Sequence, residues 1–324
     1  MLKSVAHAYA LSVARRSNAA TWALLMSAGV VCAIWVALSP LSLVKAPLII
    51  PVGIAACLAL LGWFYRTVRG DMRLSDALDV TAQLIGFLIL AGVFSYLVAT
   101  LNFPLQDQLL YAADRALGLD WQLYLRFVND LPWLGRLLHW AYLSFLPQIV
   151  ILALALGFSG RGEAARIMVL AMIATGIVTI LISGFMPAVA MFAHLGLKPE
   201  DYPNLTPAAS FVHLRDLEAL RSGAPFILDV SRMEGIVTFP SFHAAVALLL
   251  LLGAWAHPWL RWPFLAVNLA MIAATPIDGG HYFVDVLAGL GLAALCHVVA
   301  GRFIAPVTRR AKSPQVAAAI QPAT

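Results

Sequence analysis

The chain reads as long apolar runs separated by short polar clusters. Runs over residues 21–41, 47–65 and 80–101 come first. Each has roughly the 20 residues that carry a helix across a hydrocarbon core. Arg66, Arg69, Asp71 and Arg73 form a polar connection between the second and third. Later runs cover residues 138–158, 164–192, 240–256, 262–277 and 281–300. The fifth is expected to bend or end near Pro187, because proline removes a helix donor. This pattern predicts an all-α polytopic membrane protein with about eight transmembrane helices.

Several stretches depart from it. Residues 102–137 mix Asp107, Asp114, Arg115, Asp120, Arg126, Asp130 and Arg136 with Leu, Tyr, Phe and Trp. That mixture predicts one or two amphipathic helices at the interface, broken at Gly118 and Pro132. Trp121 and Trp133 suit the headgroup level. Residues 195–239 form a long polar loop. Residues 1–20 read either as an amphipathic surface helix or as a loosely ordered tail. The chain from residue 301 is basic, then rich in Ala and Pro, and reads as disordered. The expected organisation is a surface segment with two extra helices over 1–78, a catalytic six-helix membrane core over 79–300, and a disordered cytoplasmic tail over 301–324.

Composition sharpens the class. Of 324 residues, 62% are hydrophobic and 11% charged, against about 25% charged in soluble domains. The net charge of +5 is read as cytoplasmic loop charge, not as a nucleic-acid surface. With both termini inside, 13 of the 21 basic residues fall inside and 8 outside. The inside loops are also the short ones, where positive charge governs orientation. Cys32, Cys57 and Cys296 sit in apolar runs and match no metal spacing. The first apolar run is long enough to span and lacks a clear cleavage site, so no cleavable signal is expected.

The chemistry concentrates in two stretches. Residues 275–285 read Thr-Pro-Ile-Asp-Gly-Gly-His-Tyr-Phe-Val-Asp. A helix beginning after Gly280 would put His281 and Asp285 on one face. The carboxylate would hold the proton on one ring nitrogen and leave the other free to attack. The second stretch, residues 235–243, ends in Pro-Ser-Phe-His. Pro240 suits a first helical turn, with Thr238 or Phe239 at the cap. Ser241 and His243 would then share that turn, where free N–H groups favour an anion. Two crossings separate His243 from His281, so both stand at the same membrane face. The pair suits phosphoryl transfer through a phospho-histidine. His139 with Tyr142 begins the fourth run at that face, as interface anchor or site residue. Asp278 is a loop cap or a substrate contact, and His194 and His213 read as loop residues. No metal or cofactor is expected.

These residues carry a resemblance. Pro-Ser-Phe-His at 240–243 resembles the Pro-Ser-x-His motif of the type 2 phosphatidic acid phosphatase superfamily. His281 with Asp285 resembles that superfamily's H-x-x-x-D motif. The longer strings, Thr-Phe-Pro-Ser-Phe-His-Ala and Gly-Gly-His-Tyr-Phe-Val-Asp, are closer to its inositol phosphorylceramide synthase branch. The His-Tyr-x-Val-Asp core is similar to sphingomyelin synthases. The likeness covers about residues 80–300 as a six-helix core, with two extra spans before it.

The resemblance implies that His281 is the nucleophile, Asp285 its orienter and His243 the general acid and base. Ser241 would contact the phosphate, with Gly280 at the turn beside it. The phosphatases carry Ser-Arg where this chain has Ala274 and Thr275, and no K-x-x-x-x-x-x-R-P string occurs. Both departures favour the synthase branch. Phosphate neutralisation then falls to Arg232, Arg221, Arg215 or Lys198 in the outer loop, with His139 a further candidate contact. The expected partners are membrane lipids: a phospholipid donor, and a lipid alcohol or water as acceptor. The alternatives are a lipid phosphate phosphatase and, from another class, a transporter or scramblase. A bacterial source places the site at the periplasmic face of the inner membrane, a eukaryotic one in the Golgi lumen.

Overall fold

A computed structural model describes residues 2–311, with side chains at Ala14 and from residue 16 to 304. The first helix, α1 (Leu2–Leu38), is continuous, so no break separates a surface segment near residue 20 from the first span. A three-residue strand, β1 (Leu41–Leu43), leads to α2 (Ala46–Phe64), which ends in a π-helical turn over Tyr65–Arg69. Gly70, left-handed at φ 71°, closes that turn. Asp71 then caps α3 (Met72–Ala99) by accepting the N–H groups of Arg73 and Leu74. The third helix therefore starts eight residues before the apolar run that announces it.

The mixed stretch forms α4 (Asp107–Ala116) and α5 (Trp121–Asn129), broken at Gly118 as expected. Pro132 opens α6 (Pro132–Leu143). It is followed by α7 (Phe145–Phe158) after a 51° bend. Pro147 lies in the first turn of α7, and its ring and missing N–H prevent α6 from running on. The fifth run becomes α8 (Gly162–Phe185), which ends just before Pro187. A short α9 (Met191–His194) precedes the long loop, which holds α10 (Leu214–Arg221) and β2 (Phe226–Leu228). β2 pairs with β1 in parallel, Leu41 opposite Phe226. The last helices are α11 (Phe242–Ala254), α12 (Arg261–Asp278) and α13 (Phe283–Ala311). α13 extends the helix past residue 300 to Ala311, where a disordered tail was expected; residues 312–324 lie outside the described part.

Among the described residues, five helices are long and apolar enough to cross a membrane: α1, α2, α3, α8 and α13. The bent α6–α7 pair makes six if it counts as one span. The protein is thus an integral membrane protein by length and composition of its helices. α11, at 13 residues, is shorter than a usual crossing. The core packs α3, α7, α8, α11, α12 and α13 around Leu152, Leu156, Met168, Val246 and Met271, all essentially inaccessible. α1 packs on α3 and adds Leu25 to that core, while α2 lies outside it against α3, with Ile49, Ile50 and Leu60 exposed, as lipid-facing side chains are.

The two ends of the bundle differ in kind. At one end Asp79 receives Arg66, Asn18 and Ser75, while Arg166 reaches Asp76 from α8. The Arg161 side chain also donates to the Ala256 carbonyl there. This buried ionic network ties α1, the turn after α2, α3 and α8 together. At the opposite end stand the β1–β2 pair, the long loop, α4, α5 and both histidine motifs.

Candidate active site

His281 lies just outside α13, not within it. The chain turns at Gly280, whose φ of 66° favours glycine. The helix then begins at Phe283. Asp285 in the first turn accepts the Tyr282 N–H at 3.0 Å, as the third residue of a capping box does. The same oxygen, Oδ2, stands 3.2 Å from His281 Nδ1. The expected His–Asp contact is therefore made across a helix cap, not along a helical face. An ionised carboxylate can only accept, so Nδ1 carries the proton and Nε2 keeps its lone pair. His281 and Asp285 are buried, at 4% and 0% exposure.

The second motif also caps a helix. Ser241, not Thr238 or Phe239, is the cap of α11; its Oγ accepts from the Ala244 N–H at 3.4 Å. Its own N–H donates to the Asp285 carbonyl at 2.9 Å, tying the two motifs by their backbones. His243, second residue of α11, stacks on Tyr142 with centroids 4.2 Å apart and planes 13° apart. Phe145 covers it at 4.4 Å, and the Tyr142 hydroxyl lies 3.4 Å from Nδ1.

His243 and His281 line one cavity of about 580 Å³. The rest of its wall is largely apolar: Phe87, Leu88 and Ala91 of α3, Leu143 and Leu146 at the α6–α7 bend, and Gly176 and Ile180 of α8. Thr179, Glu234 and His213 add polar groups. Among the described residues no lysine or arginine lines it.

The other candidates stand elsewhere. Ser241 Oγ serves the helix cap and lies outside the cavity lining. Gly280 offers its carbonyl to the Met191 N–H at 2.8 Å and is likewise outside it. His139 pairs with Asp278 at 2.7 Å beside a separate cavity of about 60 Å³. Arg221 donates to the Phe103 carbonyl, Arg215 reaches Asp216, and Arg232 lies 3.9 Å from Asp229. Lys198 is exposed at the start of a 3₁₀ turn. The three arginines thus meet local acceptors. Among the described residues, no three His, Cys, Asp or Glu side chains converge as metal ligands.

Two carboxylates that sequence reasoning left in the interface helix reach the motif. Asp114 accepts the N–H groups of Phe283 and Val284, at 2.9 and 2.8 Å. Burial pushes its carboxyl above the usual range, against those two N–H groups. Asp107, two turns earlier on α4, accepts the Tyr282 hydroxyl at 2.8 Å and the Val189 N–H. Burial and Asp107 both raise the Tyr282 phenol, so it stays a donor. Trp121 Nε1 lies 3.2 Å from the carbonyls of both Pro276 and His281. The amphipathic α4–α5 segment thus sets the backbone of the histidine loop. The seven-residue spacing of Asp107 and Asp114 was visible in sequence; their destination was not.

Residues 108–299 match the PAP2 superfamily, more than half of the 324-residue chain. The chain belongs to that superfamily, whose activities are of phosphatase or phosphotransferase type. No curated protein and no solved structure matches it.

Proposed function

We propose that this member of the PAP2 superfamily is a lipid phosphotransferase, working through a phospho-histidine on His281. The observation that carries the reading is the shared cavity. It presents a histidine oriented by Asp285 beside a second histidine held by Tyr142, and its remaining wall is apolar. His281 Nε2 attacks the phosphorus of a phospholipid. The bond from phosphorus to the diacylglycerol oxygen breaks, and His243 donates a proton to that oxygen. The acceptor alcohol then gives its proton to His243 and attacks phosphorus, and the bond to His281 breaks. The apolar walls suit the acyl chain of a lipid acceptor and limit water near the phospho-histidine.

Transfer is favoured over hydrolysis by the want of a cation. A phosphatase ends with a doubly charged phosphate, which arginine stabilises through paired hydrogen bonds. A diester carries one charge throughout. This supports the synthase-like branch, with inositol phosphate among the possible head groups. The same reading makes α11 and α12 the two crossings between the motifs, eight in all. Both termini then lie in the cytoplasm and the site faces the periplasm of a bacterial inner membrane. A reporter after residue 324 should read cytoplasmic, and one near residue 204 external.

The decisive measurement is the product ratio in liposomes that hold a labelled phospholipid and ceramide or diacylglycerol. Transfer predicts labelled lipid product that rises with acceptor. Water-soluble head group or free phosphate, whatever acceptor is present, would make the protein a phosphatase. His281→Ala should abolish turnover, and Asp285→Asn should lower it by about 10⁴-fold, as replacing a triad carboxylate does. Full activity in His281→Ala removes the nucleophile assignment.

A further inference from the structure

A phosphate ester entering the cavity brings negative charge to a wall without lysine or arginine among its described residues. The two motif histidines are poor candidates to balance it. His281 must keep Nε2 unprotonated to attack, and His243 must pass its proton back and forth. A third histidine lines the same space. We propose that His213 supplies the missing charge: it takes up a proton as the phosphate ester binds, and Nε2–H donates to a phosphate oxygen. The proposal rests on the reading of the cavity as a phosphate-ester site and names the group that holds the anion there.

The geometry of the ring supports this. His213 is 3% exposed and precedes α10 in the long loop, outside the spans. Its Nδ1 lies 3.3 Å from the Ala209 carbonyl. A carbonyl only accepts, so Nδ1 carries a proton in either charge state. Nε2 is buried and makes no hydrogen bond of good geometry among the described residues, although the Val189 carbonyl also favours a proton on the ring. A buried polar atom without a partner is costly, and a ligand atom would satisfy it. The loop is fixed against the chain that carries His281: the Ala209 N–H donates to the Asp278 carbonyl at 2.8 Å, and Ser210 Oγ donates to the Ile277 carbonyl at 3.3 Å.

The surrounding charges set the resting state. Burial holds the imidazole below its usual range. A charge on His281 would act in the same direction, while the Ala209 and Val189 carbonyls and Asp107 on α4 act against it. His243 from α11 and Glu234 from the loop line the same cavity. On α10, Asp216 is occupied by the Tyr96 hydroxyl at 2.8 Å and by Arg215. An anion at hydrogen-bond distance favours the charged imidazole and reverses the effect of burial. A ring that charges only as the anion binds also avoids an unpaired buried cation.

Calorimetry tests it with the purified full-length chain in detergent. The probe is a six-carbon-chain phosphatidylglycerol, a soluble phosphodiester whose single charge does not titrate near neutrality. Titrations in two buffers of different ionisation heat count the protons taken up. The wild-type chain should take up close to one proton per lipid bound near neutral pH. His213→Gln places an amide N–H near Nε2 without a titrating group, so uptake should fall toward zero with binding partly kept. His213→Asn places its amide near Nδ1 instead, keeps the Ala209 contact, and should bind about tenfold more weakly than wild type. A role confined to holding the loop predicts the reverse order, Asn above Gln. That order, or unchanged proton uptake in His213→Gln, overturns this proposal alone. A wild-type chain that binds none of the phosphodiester removes the reading of the cavity, and this proposal with it.

Discussion

Asp114 accepts the backbone N–H of Val284 at 2.8 Å, and its other oxygen accepts that of Phe283 at 2.9 Å. One carboxylate on an interface helix thereby satisfies two of the free N–H groups that every helix start leaves. These donors open α13, so they are closed to any phosphate. The positive end of that helix meets Asp114 beside the His281 loop. Asp114→Ala should leave the protein folded in detergent but lower kcat by about a hundredfold, as displacements near 1 Å in a reacting group do. KM should change little. Asp114→Asn keeps one acceptor and should fall between. A folded Asp114→Ala protein with wild-type kcat would show that the α4 contact does not position His281.

The ionic network at the other end makes the opposite prediction. Arg166 and Asp76 form a buried pair, each 9% exposed in its side chain, far from either histidine motif. Removing one partner strands a charge, at a cost of about 3–5 kcal/mol. Arg166→Met should therefore melt at a clearly lower temperature, with KM for lipid unchanged in the fraction that stays folded. Replacing both, as Asp76→Leu with Arg166→Met, should recover most of the loss. A double variant as unstable as the single would mean that Asp76 is held by other partners, such as Arg66.

The ligand-free protein should also lose stability in acid through His213. Burial lowers its pKa from 6.5. The unfolded chain then binds a proton more readily than the folded one, so unfolding gains as pH falls below about 6.5. The contribution is fully present above that value and is lost as pH drops toward the folded pKa. Once any constant offset at neutrality is subtracted, the melting temperature of wild type should fall below that of His213→Gln as pH drops under about 6.5, because glutamine does not titrate. Parallel curves would place His213 in a wetter setting than its burial indicates.

The sequence carried the membrane class, the breaks at Gly118 and Pro187, and both histidine motifs, because each is written in local composition or spacing. It missed what depends on distant partners. Asp107 and Asp114 looked like the polar face of an interface helix, which they are, and nothing local said that this face meets residues 282–284. His213 looked like a loop residue for the same reason. The start of α3 was misjudged because Asp76 and Asp79 interrupt the apolar run, and only their pairing with Arg166 and Arg66 makes a helix there affordable. The Pro-Ser-Phe-His string placed the cap two or three residues early, since Ser241 itself, not the residue before Pro240, accepts a free N–H of the first turn.

Gly289 is where the two motifs can be pulled apart with a single methyl group. A Cβ at this position on α13 would land on the backbone carbonyl of Ser241, which cannot swing away as a side chain can. Small residues of this kind let membrane helices approach closely. Here the approach also brings the Ser241 N–H to the Asp285 carbonyl at 2.9 Å, so the helix carrying His243 and the helix carrying Asp285 are held in one register. Gly289→Ala should cost about 1–3 kcal/mol through overpacking. Its effect on turnover should exceed its effect on melting, with kcat lower by roughly ten- to a hundredfold as the histidines shift relative to each other. Gly291→Ala is the matched control. A Cβ at Gly291 meets nothing within 4 Å, and alanine is the better helix former by about 1 kcal/mol, so this variant should keep wild-type turnover and melt no lower. Equal kcat in the two alanine variants would show that the spacing of α11 and α13 does not set the geometry of the pair.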